Sequence, residues 1–283
     1  MPRRSSLTDA TPRRRHRVEG IPDRAPLVPV VVAAIGALLF VIPLAGLVWR
    51  APWSSAWTEL SSQPARDALR LSLVTSLSAT AVAIVLGVPL AWVQARVDYP
   101  GKRFVRALTT LPMVLPPVVG GVALLLALGR RGIVGGQLDR IGVHLPFTTA
   151  GAVVAEAFVA MPFLVLTLEA AFRSTDQRLE QAARTLGAGR LLTFRRVTLP
   201  MVAPSLVAGV VLCWARALGE FGATITFAGN LQGTTQTLPL FVYVKLEGSR
   251  PDSAIVLSLV LLGVSLAVLI GLRDRWLTPG LTR

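Results

Sequence analysis

Long apolar runs constrain this chain more than any other feature of its sequence. An α-helix rises about 1.5 Å per residue, so about 20 residues are needed to cross the hydrocarbon core of a bilayer. Six runs reach that length, and only the fourth, with Glu156, and the fifth, with Arg216 and Glu220, carry charges. The runs are residues 27–49, 71–93, 107–129, 145–168, 201–228 and 253–272. They predict an all-α polytopic membrane protein with six transmembrane helices.

The composition excludes several other classes of protein. Only 16% of the 283 residues are charged, whereas ordinary soluble domains have about a quarter. The excess of 29 Lys and Arg over 15 Asp and Glu does not indicate nucleic-acid binding, because these basic residues lie between the apolar runs. One cysteine, Cys213, and two histidines, His16 and His144, provide neither a disulfide framework nor a zinc cluster.

The distribution of basic residues predicts the orientation in the membrane. The N-terminal tail, residues 96–106, residues 173–196 and the C-terminal tail together contain 20 Lys and Arg, and the intervening loops contain seven besides Arg70, which borders the second run. Cytoplasmic segments carry the excess of positive charge, which places both termini in the cytoplasm and agrees with an even number of spans. We therefore predict a basic cytoplasmic tail (residues 1–26), a transmembrane domain (27–272) and a short cytoplasmic tail (273–283). A twin-arginine targeting signal at Arg3 and Arg4 is the alternative interpretation of the first segment.

The connection formed by residues 173–200 is the longest between the predicted spans on the cytoplasmic side. Asp176 is suited to cap a helix, and Gly187 to end it with a positive φ. A second short amphipathic helix is predicted over residues 191–197, ending at Pro200. Between the cap and the glycine, apolar side chains recur at helical spacing, namely Leu179, Ala182, Ala183 and Leu186. The pattern predicts a compact protrusion that accepts another protein, and an amphipathic hairpin on lipid headgroups is equally compatible with it.

The fifth run contains a charged pair at helical spacing. Arg216 and Glu220 are four residues apart, so each side chain can offset the cost of burying the other. Either the pair holds helices together or its face lines a path for an anionic solute, and both interpretations place this face away from lipid. The following residues, from Asn230 to Thr237, are rich in glycine, hydroxyl and amide groups. Such neutral donors suit a dehydrated oxyanion, although an ordinary outer loop has a similar composition.

Residues 173–200 resemble the EAA loop of ABC-importer permeases, and we call them the coupling segment. The family pattern is Glu-Ala-Ala, three residues, Gly, nine residues, Ile-x-Leu-Pro, and the spacing here matches it completely. The matching residues are Gln181, Ala182, Ala183, Gly187, Val197, Leu199 and Pro200. Gln181 departs from the family glutamate, and the nearest carboxylate is Glu180. The resemblance implies that this loop, with Glu180 included, couples the permease to a cytosolic ATPase subunit.

Further segments resemble the sulfate/molybdate branch of these permeases. They are residues 111–132, 145–168, 215–230 (ARALGEFGATITFAGN) and 235–239 (TQTLP), and the last favours the molybdate side of the branch. Thr234 stands where the branch often has another residue. The resemblance implies the MetI-like permease fold and assigns a translocation path or gate to Arg216, Glu220, Thr224, Thr226 and Asn230.

The resemblance also implies a function and a set of partners. The chain is expected to be the membrane subunit of an ATP-driven molybdate importer in the cytoplasmic (inner) membrane, with sulfate or tungstate as the alternative cargo. Its expected partners are a second copy of itself, cytosolic ABC ATPase subunits, an extracytoplasmic molybdate-binding protein and the lipid bilayer. The chain is expected to be no enzyme and to bind no cofactor, since ATP and Mg²⁺ are used by the ATPase. A secondary oxyanion carrier is a more distant alternative, and it gives the coupling segment no role.

Overall fold

The computed structural model describes residues 27–276, and every regular element in this range is a helix. The α-helices are α1 (Leu27–Trp49), α2 (Ala56–Leu60), α3 (Gln63–Arg96), α4 (Lys102–Val114), α5 (Pro117–Leu128), α6 (Gly135–Arg140), α7 (Thr149–Ser174), α8 (Gln177–Thr185), α9 (Arg190–Thr193), α10 (Leu199–Met201), α11 (Ala203–Leu218), α12 (Gly222–Phe227), α13 (Leu238–Glu247) and α14 (Pro251–Trp276). A π-helical turn, Phe194–Thr198, joins α9 to α10. The chain divides into one unit that ends at Trp49 and a second that begins at Arg50.

The first unit contributes α1, whose bounds are those of the first apolar run. All 23 residues of α1 are uncharged, and its length suffices to cross the hydrocarbon core. Pro43 lies inside the helix, as transmembrane helices tolerate. The predicted basic tail, residues 1–26, lies outside the described residues.

The core of the second unit is formed by α7, which packs against both α3 and α11. Small residues permit this packing: a methyl group at Gly87 of α3 would lie 3.2 Å from the Val165 side chain, and one at Gly209 of α11 would lie 3.0 Å from Leu164. Leu164, Val165 and Leu168 of α7 are completely buried as a result. Transmembrane helices depend on such close contacts because lipid supplies no hydrophobic force between them.

The third apolar run corrects our prediction of a continuous helix, because it is broken at Leu115 and Pro116. Leu115 has an extended backbone with ψ of 133°, as the residue before a proline prefers. Pro116 is extended too, and Pro117 occupies the first turn of α5, where a missing N–H costs nothing. The run therefore forms α4 and α5 as separate helices.

The fifth run is also broken, at two places. Gly219, Glu220 and Phe221 separate α11 from α12. At its other end, the helical stretch Arg190–Met201 meets Ala203–Leu218 at an angle of 76°. The predicted single span over residues 201–228 therefore consists mainly of two helices, α11 and α12. The helical stretch before them, Arg190–Met201, is strongly bent away from α11.

Within residues 27–276, four helical stretches are long and apolar enough to cross a membrane: α1, α3, α7 and Pro251–Val268 of α14. The bent pair at residues 190–218 would make a fifth crossing if it counts as one span. Six crossings and cytoplasmic termini stay predictions. The last helix continues to Trp276, beyond the predicted start of the C-terminal tail at residue 273, and residues 277–283 lie outside the described range.

Glycines bring α5 and α12 into unusually close contact. A methyl group at Gly121 of α5 would lie 2.6 Å from the Thr226 Cβ atom and 2.9 Å from the Ala223 carbonyl oxygen. In the other direction, a methyl group at Gly222 would lie 2.7 Å from the Pro117 Cβ atom. The two helices therefore pack backbone to backbone, and α12 is held in place by α5.

Gly121→Ala is expected to destabilise the protein by about 1–3 kcal/mol, the usual cost of overpacking, because the added methyl group would meet the Thr226 Cβ atom and the Ala223 carbonyl oxygen, which move only with the α12 backbone. Gly263→Ala in α14 is the matched control, since a methyl group there meets no atom within 4 Å. Thermal unfolding of the purified protein in detergent measures both. Equal melting temperatures for the two variants would contradict this packing.

Candidate functional site

The first half of the coupling segment has the predicted local structure. The Asp176 carboxylate accepts the backbone N–H of Arg178 at 2.9 Å and so caps α8. Gly187 ends the helix with φ of +85°, and its N–H donates to the Arg184 carbonyl at 2.9 Å. The predicted cap and glycine bend are therefore confirmed.

The apolar face of α8 points outward and is unusually exposed. Leu186 is 89% exposed and Leu179 is 52% exposed. Ala182 and Gln181 are exposed as well, while Ala183 is half-buried. Aliphatic side chains in such positions gain by being covered, so this face is suited to contact another molecule.

The second half of the coupling segment corrects our prediction that the helix ends at Pro200. The helical stretch begins at Arg190 and continues to Met201. Pro200 has no N–H to donate to the preceding turn, and the π-helical turn just before it accommodates this: Leu199 donates to the carbonyl of Phe194, five residues earlier. The chain instead bends at Val202, whose ψ of 5° lies outside the α-helical range.

Glu180 faces the membrane helices and not the exposed side of α8. Its carboxylate lies 3.1 Å from the Arg96 guanidinium at the end of α3, and the two side chains are only 9% and 7% exposed. Arg96 also donates to the Thr175 carbonyl at 3.4 Å. Gln181, the neighbour at the family glutamate position, is exposed. The available carboxylate thus fixes the coupling segment to α3, a role that our assignment of Glu180 to the ATPase contact missed.

A second group of charged and polar side chains joins the C-terminal parts of α3 and α7 to the first half of α4. The buried Glu169 carboxylate contacts Arg106 of α4 and lies 3.2 Å from Arg173 of its own helix. Arg106 in turn donates to the Gln94 carbonyl at 3.4 Å, and the Gln94 amide donates to the Thr109 hydroxyl at 2.9 Å. The sequence did not single out these residues, because its Lys and Arg residues were used only to predict the orientation of the chain in the membrane.

On the surface at this end, Asp98 pairs with Lys102 at 2.8 Å. The hydrogen bond and the positive charge of Lys102 lower the pKa of the Asp98 carboxyl below its ordinary value. This carboxylate therefore stays ionised at neutral pH. The pair is exposed on the Asp98 side and contributes little to stability.

In the membrane region, the predicted pair of Arg216 and Glu220 is formed. An Arg216 Nη2 atom lies 2.6 Å from Glu220 Oε2. The other oxygen, Oε1, accepts the backbone N–H of Ala223 at 2.8 Å, so that Glu220 also serves the first turn of α12, where negative charge is favourable. Glu220 is buried, whereas the Arg216 side chain is 29% exposed. The guanidinium is therefore the accessible member of the pair.

Two of the other predicted path residues, Thr224 and Thr226, lie in α12, and the third, Asn230, comes after it. Thr224 is completely buried, and its hydroxyl has no hydrogen-bond partner among the described residues. The Thr226 hydroxyl donates to the Gly222 carbonyl at 2.8 Å. Asn230 lies beyond the helix and accepts from the Gln236 amide at 3.0 Å. Of these, Thr224 retains an unused polar group.

The segment after α12 is a folded turn and not an open loop. The carbonyl of Leu231 accepts the N–H groups of Thr234, Thr235 and Gln236 at 2.8–3.0 Å, and the Leu231 N–H donates to the Thr235 hydroxyl at 2.8 Å. Thr235, Gln236 and Thr237 are buried. These residues of the TQTLP motif are therefore part of the packed interior and do not form an exposed surface.

A row of buried hydroxyl groups on α3 was missed by the sequence analysis. Thr75 donates to the buried Glu156 carboxylate of α7 at 2.8 Å, and the Ser76 hydroxyl accepts from the Trp214 indole of α11 at 3.0 Å. The Ser72 hydroxyl accepts the N–H of Leu238 at 2.6 Å. The signal was present, because Ser72, Thr75 and Ser76 recur at helical spacing in the second apolar run.

Comparisons with known proteins agree with this architecture. Residues 83–283 match the family described as binding-protein-dependent transport system inner membrane component. The molybdenum transport system permease protein of Mycobacterium tuberculosis is 44% identical over 247 residues, covering 87% of this chain and 93% of that protein. The sulfate transport system permease protein of Salmonella typhimurium is 34% identical, covering 82% and 85%.

A solved structure shares the fold. A bacterial ABC transporter involved in the import of the acidic polysaccharide alginate superposes with a TM-score of 0.69 at 21% identity, covering 87% of this chain and 93% of that chain. The all-helical, MetI-like arrangement predicted from the sequence is thus confirmed, as is the multi-pass location in the inner membrane. The chain belongs to the family of inner membrane components of binding-protein-dependent transport systems.

Proposed function

We propose that this chain is the membrane-spanning subunit of an ATP-driven importer whose cargo is molybdate. The observation that carries the proposal is the greater identity to a molybdenum permease than to a sulfate permease, over nearly the whole length of both. The chain is a transport subunit and no enzyme, and ATP hydrolysis belongs to separate ATPase subunits. ATP and Mg²⁺ are accordingly used by the partner and not by this chain.

The proposed contact with the ATPase is the exposed face of α8. Leu179, Ala182 and Leu186 offer an apolar surface, and Ala182 lets a partner backbone approach closely. Gly187 allows the sharp turn that presents this face. The Arg96–Glu180 ion pair then ties the contact to α3, so that a displacement of the coupling segment reaches the membrane helices directly.

Around the membrane subunit we propose a second copy of the chain and an extracytoplasmic molybdate-binding protein. The partly exposed Arg216 guanidinium supports a path for an anion, as does the buried Thr224 hydroxyl, which has no hydrogen-bond partner among the described residues. Arg216, Glu220, Thr224, Thr226 and Asn230 are proposed to lie along that path or its gate. Neutral hydroxyls together with a partly exposed, paired arginine can attract an oxyanion without trapping it.

Sulfate and tungstate remain the alternative cargoes within the same mechanism. At Thr234, the position that departs from the branch, the backbone carbonyl accepts from the Thr149 hydroxyl at 2.8 Å. Any residue at this position can make that contact, so the contact gives no preference for one of these anions.

Uptake of labelled molybdate by vesicles that contain the assembled transporter and its binding protein tests the proposal. We expect ATP-dependent uptake that excess tungstate reduces and excess sulfate does not. Uptake without ATP, or sulfate as the preferred cargo, would overturn it.

Leu186→Glu is expected to weaken binding of the ATPase subunit by about tenfold or more, because it places a charge in an apolar contact. Ile141→Glu is the control, since Ile141 is 73% exposed and lies on the predicted opposite side of the membrane. Co-purification of the ATPase subunit with each variant measures the effect. Equal recovery with both variants would refute α8 as the contact.

Arg216→Ala is expected to reduce both folding yield and transport, because it leaves the buried Glu220 carboxylate unpaired, at a cost of about 3–5 kcal/mol. Arg216→Ala combined with Glu220→Gln should recover part of the folding yield, since the amide can still accept from the Ala223 N–H and carries no charge. Transport should stay low if the guanidinium also attracts the anion.

Folding yield by size-exclusion chromatography and uptake in vesicles separate the two roles of Arg216. Wild-type uptake by the double variant would show that Arg216 is not part of the path. A double variant that folds less well than Arg216→Ala would contradict the pairing itself.

A further inference from the structure

A groove lies between α3 and the coupling segment. It has a volume of about 390 Å³, within the range of roughly 300–1,000 Å³ typical of ligand sites. Its apolar walls are Pro89 and Trp92 of α3, with Leu191 and Phe194 of the second helical stretch. The Trp92 and Phe194 rings meet edge to face, with centroids 6.0 Å apart, so these walls are fixed in position.

The rim of the groove is positively charged. Arg184 at the end of α8 and Arg190 at the start of α9 complete its lining, and both are exposed. Among the described residues, neither guanidinium has a carboxylate within 4.0 Å. Two unpaired guanidinium groups beside an apolar groove complement a ligand that has an anionic head and a hydrocarbon body.

The groove opens where a membrane helix leaves the bilayer. Pro89 and Trp92 lie within two turns of Arg96, the last residue of α3, and tryptophan is enriched at the level of the headgroups. Further into the bilayer, Val85 and Leu86 are 69% and 57% exposed and extend the apolar wall of the groove along α3. A hydrocarbon chain can therefore pass from the bilayer into the groove without crossing water.

We infer that this groove binds an anionic phospholipid, with its acyl chain on Pro89, Trp92, Leu191 and Phe194 and its phosphate between Arg184 and Arg190. The ATPase subunit is the poorer occupant, because it approaches from water and the walls lie on the transmembrane helix. A bound lipid would contact α3 and both halves of the coupling segment. It would therefore hold the coupling segment to the bundle beside the Arg96–Glu180 pair.

Lipid binding by the purified, delipidated full-length chain in detergent tests the inference, with phosphatidylglycerol and phosphatidylcholine as probes. Each basic residue near a membrane surface contributes about fivefold to the binding of an anionic lipid. Combined Arg184→Gln and Arg190→Gln should thus weaken phosphatidylglycerol binding by roughly 25-fold and leave phosphatidylcholine binding unchanged.

Arg178→Gln combined with Arg195→Gln is the matched control, because it removes the same charge from exposed positions that do not line the groove. It should change phosphatidylglycerol binding little. Leu191→Gln should weaken the binding of both lipids. The Leu191 side chain is 70% exposed, so the protein should tolerate this change.

Three results would overturn the inference: equal affinity for the two lipids, equal loss in the control variant, or displacement of phosphatidylglycerol by inorganic phosphate, which would indicate a simple anion site. Displacement of the lipid by stoichiometric ATPase subunit would also overturn it and assign the groove to that protein. Failure of any of these tests leaves the proposed transport function intact, since molybdate uptake is measured separately.

Discussion

The packing of α7 between α3 and α11 holds the core of the second unit together. It is made by small residues, such as Gly87 and Gly209, that let side chains of α7 fill the space between two neighbouring helices. In a bilayer this contact area takes the place of the hydrophobic effect that organises soluble cores. The buried Glu156 carboxylate and the hydroxyls of α3 then find their partners because the helices are already close.

The ends of the same helices carry the elements that we propose to act in coupling to the ATPase. Arg96 is the last residue of α3 and Glu169 lies near the end of α7, and each takes part in an ion pair that reaches a neighbouring element. The coupling segment is therefore joined to the packed core and is no independent loop. At the proposed path, Glu220 stands in the break between α11 and α12, where its carboxylate pairs with Arg216 and accepts the Ala223 N–H at the start of α12.

Much of this was predictable from the sequence, because the signals were local. The apolar run at Leu27–Trp49 gave the exact bounds of α1, and Asp176 and Gly187 marked the ends of α8 through their own backbone preferences. The break at Pro116 could have been predicted, since two adjacent prolines interrupt a helix. We predicted one continuous span instead, because the whole run is apolar. In each of these cases the residue acts on its own neighbours in the chain.

The remainder depended on contacts between distant residues. That Glu180 faces inward follows from the position of Arg96, 84 residues earlier, and the partner of Glu156 lies 81 residues away. The close approach of α5 to α12 at Gly121 required both helices in place. Composition assigned the TQTLP residues equally well to an open loop or to a binding surface, and only the fold showed that Thr235, Gln236 and Thr237 are buried.

We propose that the Arg96–Glu180 pair transmits the movement of the coupling segment to α3. Exchange of the two charges, Arg96→Glu with Glu180→Arg, in the assembled transporter tests this role when molybdate imported per ATP hydrolysed is measured. Glu180→Gln alone is expected to lower this ratio while ATP hydrolysis continues, and the exchanged pair is expected to restore part of it. An unchanged ratio in Glu180→Gln, with the protein folded and bound to its ATPase, would show that the pair does not transmit the movement.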